Sequence, residues 1–109
     1  MPLFGKKGTV LLESSFPLGE FDIEADGAYR NVKTFPLDVK QGKKLFVSVT
    51  SSSPVDAAIS NGDGICIKFK DSILDDTLEA AVIKKDVMTL VLGIFRGDKA
   101  DVTVKAWTE

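Results

Sequence analysis

Apolar and polar residues alternate singly along most of this 109-residue chain, and that period of two constrains its fold more than any other feature. Leu45, Val47 and Val49 alternate with Phe46, Ser48 and Thr50. Ile65, Ile67 and Phe69 alternate with Cys66, Lys68 and Lys70. Val102, Val104 and Ala106 alternate with Asp101, Thr103, Lys105 and Trp107. Successive side chains of a strand point to opposite faces, so each run puts one face on a core and the other in water. Helical spacing is nearly absent. The stretch 72–82 contains Leu-Glu-Ala-Ala behind capping residues, yet its hairpin-like neighbours favour a loop followed by a strand.

The punctuation agrees with this reading. Turns are expected at Ala25-Asp26-Gly27, Gln41-Gly42-Lys43, Ser51-Ser52-Ser53-Pro54, Asn61-Gly62-Asp63-Gly64, Lys84-Lys85-Asp86 and Arg96-Gly97-Asp98-Lys99. Gly, Asn and Asp tolerate the positive φ that tight hairpins use. The spacing predicts strands over 8–14, 18–25, 30–40, 44–50, 55–60, 65–70, 77–84, 87–95 and 100–107. Pro36 cannot donate to a ladder and belongs at an edge or a bulge. Val87 to Phe95 is apolar on both phases and reads as a central strand covered on both sides. The expected fold is all-β: a single-domain antiparallel β-sandwich, jelly-roll-like, of about eight to nine strands. Residues 1–7 read as a flexible tail and 8–109 as the sandwich domain.

Composition supports one core and excludes several partners. Seven Phe, one Trp and one Tyr in 109 residues fill a single interior. A net charge of −2 provides no bulk field for nucleic acid, and the lysine pairs 6–7, 43–44 and 84–85 sit beside turns with acids nearby. No run approaches the roughly 20 apolar residues that span a bilayer. The single cysteine, Cys66, allows no intramolecular disulfide. That fact, with no leader-like run after Met1, leads to the expectation of a cytoplasmic protein.

Two segments carry a family resemblance. The first runs from Phe35-Pro36-Leu37-Asp38-Val39-Lys40-Gln41-Gly42-Lys43-Lys44 through Thr50 into Ser53-Pro54-Val55-Asp56-Ala57-Ala58-Ile59. The second is Asp86 to Phe95 followed by Ala100-Asp101-Val102-Thr103-Val104. Together they resemble the GOLD-type (emp24-like) β-sandwiches and, more loosely, the bacterial pre-peptidase C-terminal domains. The resemblance spans residues 30–105 and implies a jelly-roll-like, non-catalytic interaction module. It carries over no catalytic residues. The paired cysteines of the secreted emp24-like domains are absent here.

Candidate chemistry is sparse. With no histidine, Ser-His-Asp and Cys-His nucleophile systems are excluded, and no cofactor is expected. Gly62-Asp63-Gly64 is too short for a phosphate loop and opens no helix. Cys66 shares a phase with Lys68 and Lys70, which can activate a thiol; the plainer reading is a shielded strand residue. Asp56, Asp63, Asp75, Asp76, Asp86, Asp98 and Asp101 fall at or near loops. Calcium takes about six to eight oxygens from such loops, but no ordered ladder of aspartates is present. Asp56 fits an outward strand position. Arg96-Gly97-Asp98 spells the adhesion tripeptide but serves as a hairpin turn.

The contact residues to expect are Phe46 and Trp107, because alternation turns both away from the core. The function that follows is a non-enzymatic binding or structural module engaging a protein partner or a second copy of itself. The alternative is a carbohydrate-binding module, calcium-dependent or not. An enzyme using carboxylates alone would need a cleft that a sandwich of this size rarely builds.

Overall fold

The computed structural model describes residues 9–19, 31–39, 44–81, 86–94 and 98–109. Six strands account for nearly all of them: β1 (Thr9–Gly19), β2 (Val32–Val39), β3 (Lys44–Ser60), β4 (Cys66–Ala81), β5 (Asp86–Gly93) and β6 (Lys99–Thr108). All pairings are antiparallel within one sheet, ordered β1-β6-β3-β5-β2, with β4 on the other side of β3. The two ends of that path approach each other through Phe16 of β1 and Phe35 of β2, whose ring centroids lie 5.4 Å apart. Lys33 Nζ sits over both rings, at 5.5 and 5.8 Å. The sheet is thereby nearly closed into a barrel.

Among the described residues six strands replace the expected eight to nine, because three expected breaks are not breaks. The segments 44–50 and 55–60 are one bent strand, β3. The segments 65–70 and 77–84 join as β4 over its described residues, and 8–14 continues through Phe16 and Leu18 as β1. Ser and Pro at 51–54 cause a bend rather than a turn. Pro54 offers no N–H to a ladder, and the register slips between Thr50 and Val55. Ser51 Oγ closes the bend locally by donating to the Ser53 carbonyl at 2.6 Å. β4 matches it with Ser72, a non-glycine residue at φ 53°, whose N–H donates to Asp56 Oδ1 at 3.1 Å. The bend lets β3 serve two neighbours on one edge: its first half pairs with β6 and its second half with β5. Residues 1–7, expected as a tail, lie outside the described residues, as do the expected turns at 25–27 and 41–43.

The core is the inward phase of every strand. Leu18, Leu37, Leu45, Ile59, Leu78, Leu90 and Leu92 are fully enclosed, with Val39, Val47, Val49, Val55, Val102, Val104 and Ala106 between them. β5 is central by hydrogen bonding, but it is not covered on both sides as expected. Met88, Leu90 and Leu92 are buried while Val87 is 52% exposed and Val91 only half-buried. A barrel wall has one inside face, so the second apolar phase of β5 lies on the outer surface. β2 occupies the end of the path, an edge position of the kind expected for Pro36.

Two turns show the local chemistry directly. In the β3–β4 hairpin the Asn61 side chain accepts from the N–H groups of Asp63 (2.9 Å) and Ile65 (3.0 Å), and Gly64 takes φ 81°. At the end of β1, Gly19 takes φ 100° and pairs with Lys99.

Candidate functional site

The outward phase of β1, β6, β3 and β4 forms three rows of side chains. Cross-strand partners share a face, so the register places them. The first row is Val10, Trp107, Phe46 and Glu79. The second is Glu13, Lys105, Ser48 and Thr77, and the third Ser15, Thr103, Thr50 and Asp75. Phe46 and Trp107 are therefore direct partners across β3 and β6. Their rings stack at 5.5 Å between centroids and 14° between planes, and both are half-buried. Offset stacking at this separation is the favoured geometry for an aromatic pair.

Polar groups surround the pair. Trp107 Nε1 donates to Glu109 Oε2 at 3.0 Å, and Lys105 Nζ lies 5.9 Å from the Trp107 ring centroid. Lys44 Nζ pairs with Glu79 Oε2 at 2.9 Å. The ends of β3 and β6 are tied by reciprocal backbone bonds between Lys44 and Glu109, both 3.0 Å. Further along, the Ser15 and Thr103 hydroxyls bond at 2.9 Å. The result is an apolar row, open at Val10 (53% exposed) and rimmed by charges of both signs.

The other sequence candidates scatter. Asp56 is exposed and bonds Ser72 at the bend; Asp63 lies in the β3–β4 turn. Asp75 stands in the third row, and Asp98 and Asp101 are exposed on and beside β6. Among the described residues no group of three or more His, Cys, Asp or Glu side chains is placed to hold a metal ion. Arg96 and Gly97 lie outside the described residues. Cys66 is exposed rather than shielded, because it begins β4 at the outer edge of the sheet; its thiol donates weakly to the Lys68 carbonyl at 3.4 Å. Sequence reasoning placed Phe46 and Trp107 on the outer surface. It did not foresee the salt-bridged rim, which depends on the register between β3 and β4.

Among the described residues, Asp76 is the one group with a displaced titration. The Lys70 ammonium bonded to its carboxylate, and then the Thr77 N–H at 2.8 Å, hold its pKa below the ordinary 3.8. A depressed carboxylate stabilises the fold above its unfolded pKa and loses that contribution as pH falls through the folded value. Asp76→Asn is therefore expected to lower the thermal midpoint slightly at neutral pH and to match the parent once pH lies well below 3.8. Both side chains are partly exposed, so the difference is small and shrinks in salt. Melting curves of the two proteins across acid pH check it.

No family model matches the chain, and no curated protein matches its sequence. Solved structures do share its fold. PliG of Aeromonas hydrophila, a periplasmic lysozyme inhibitor of g-type lysozyme, is similar over 94% of this chain and 86% of its own, with TM-score 0.62 and 14% identity. The Yersinia pseudotuberculosis-derived mitogen is similar over 88% and 83%, with TM-score 0.62 and 9% identity. This chain shares their all-β fold. Neither is a GOLD-type or pre-peptidase C-terminal domain.

The likeness corrects the cytoplasmic expectation. PliG carries this fold in the periplasm. A barrel core closed by burial alone needs no disulfide in either compartment, so a lone cysteine does not mark a reducing one. Among the described residues no helix is long and apolar enough to cross a membrane.

Proposed function

We propose that this protein is a non-enzymatic binding module that engages a protein partner through the outer face of β6 and β3, with Phe46 and Trp107 as its anchor. The observation that carries the reading is the stacked, half-buried aromatic pair at the centre of a row rimmed by Lys44, Glu79, Lys105 and Glu109. Binding energy at protein interfaces concentrates in such aromatic anchors, while a polar rim excludes water and sets orientation. Support also comes from PliG, an inhibitor of another protein on a similar fold. A jelly-roll kinship to the GOLD-type domains would fit the same role. A carbohydrate platform is the weaker reading, because stacking commits one face of each ring to the other rather than to a sugar.

The double variant Phe46→Ser/Trp107→Ser tests the proposal. Both side chains lie outside the core, so the variant retains a cooperative melt. Loss of a paired anchor weakens partner binding by about 2 kcal/mol or more, about thirtyfold in Kd. Capture from cell extract identifies the partner, and a lysozyme inhibition assay with a g-type enzyme is the first specific arm. If parent and variant capture the same proteins equally and inhibit equally, the aromatic anchor is wrong.

A further inference from the structure

A second surface lies on the other limb of the bent β3–β4 hairpin. Over Cys66–Lys70, β4 is bonded to β3 and, among the described residues, to no other strand. An edge strand presents a row of backbone donors and acceptors along its open side. Large apolar groups cluster at this edge: Ile65 is 59%, Ile67 39% and Phe69 58% exposed. Behind Phe69 the row continues over Ala58 and Val91, both half-buried on the outer face.

The charges along the edge select what can join it. Lys68 and Lys70 share one face and Phe69 takes the other, and no acidic residue occurs from Gly64 to Lys70. Lys70 is paired with Asp76, whereas Lys68 has no ion-pair partner among the described residues. Two copies of this edge joined together would bring the two Lys68 ammonium groups, neither with an ion-pair partner among the described residues, into one seam beside the Lys70–Asp76 pairs. Edge lysines of this kind repel other edges. An incoming strand with acids at alternate positions turns that repulsion into attraction.

We propose that the open edge of β4 over residues 66–70 receives an extended segment of a protein partner, in which acidic residues alternate with apolar ones, by antiparallel strand addition. Main-chain bonds supply the affinity, Lys68 and Lys70 meet the acidic phase, and Phe69 meets the apolar phase. This site is separate from the Phe46–Trp107 row.

The probe is a labelled, capped octapeptide of alternating Glu and Val, with the alternating Lys and Val octapeptide as its counterpart. Fluorescence anisotropy with the whole protein reads binding, and amide hydrogen exchange reads its place. The Glu-Val peptide is expected to bind saturably and to slow exchange within 66–70. Lys68→Glu, an exposed change, is expected to weaken it about tenfold or more and to admit the Lys-Val peptide instead. Phe46→Ser/Trp107→Ser is expected to leave peptide binding unchanged, which separates this proposal from the previous one. Equal binding of both peptides, or no binding, overturns it. So does slowed exchange at 66–70 that rises with protein concentration alone, since the occupant is then a second copy.

Discussion

Replacing Gly19 by alanine is expected to destabilise the fold by about 3 kcal/mol or more, which makes it one of the most damaging single changes available. Two costs combine. Gly19 takes φ 100°, a region that residues with a side chain rarely enter. A Cβ built there would also stand 2.1 Å from the Asp98 carbonyl oxygen and 2.9 Å from the Lys99 Cα. Both obstacles are backbone, so no rotamer change relieves them. The strand pair must part where β1 meets the start of β6. At roughly 4–8 °C per kcal/mol for a domain near this size, the midpoint should fall by more than 10 °C. Thermal or denaturant unfolding of Gly19→Ala checks it, and an unchanged midpoint would refute the close approach.

Leu90→Ala is expected to cost a comparable amount, about 2–5 kcal/mol. Leu90 is fully enclosed on β5, with Phe35 of β2 and Ile59 of β3 as its cross-strand partners on the same face. Truncation removes transfer energy and leaves a cavity that three hydrogen-bonded strands resist closing. Against a total stability of about 5–15 kcal/mol, such a loss can leave the protein partly unfolded at working temperature. The control is Val87→Ala on the same strand. Its side chain is 52% exposed, and it should change stability by no more than about 0.5 kcal/mol. Equal losses at the two positions would mean that β5 is covered on both sides after all.

These two positions also show what alternation makes legible. The single-residue period around Leu45 to Thr50 and Val102 to Trp107 identifies strands, their inner faces and the outward direction of Phe46 and Trp107. Those features depend only on neighbours in the chain. Strand count was less legible, because Ser51 to Pro54 has turn composition whether the chain reverses or bends. Only pairing with β4, and the bond from Ser72 to Asp56, decides between the two. The partnership of Phe46 with Trp107 lies further beyond sequence reach. It follows from a β3–β6 register set by residues about sixty positions apart, which local pattern does not encode. The exposed phase of β5 misled for a similar reason: an apolar run does not state whether anything lies against its second face. Gly19 carried no warning at all, since its obstacle, Asp98, comes from the far end of the chain.

The pairing of β1 with β6 has a consequence for how the molecule assembles. Thr9 meets Thr108, so the first and last described strands close a loop that contains all the others. The β3–β4 hairpin turns within Asn61 to Ile65 and can form early from local contacts. By contrast, β6 must arrive between β1 and the first half of β3 after every other strand has been made. Long-range closure of this kind is slow, on the order of milliseconds to seconds. Until it happens the inner face of β3, with Leu45, Val47 and Val49, lacks one of its walls. A chain with this topology is thus most exposed to misassembly just before its final strand docks, and that strand carries Trp107.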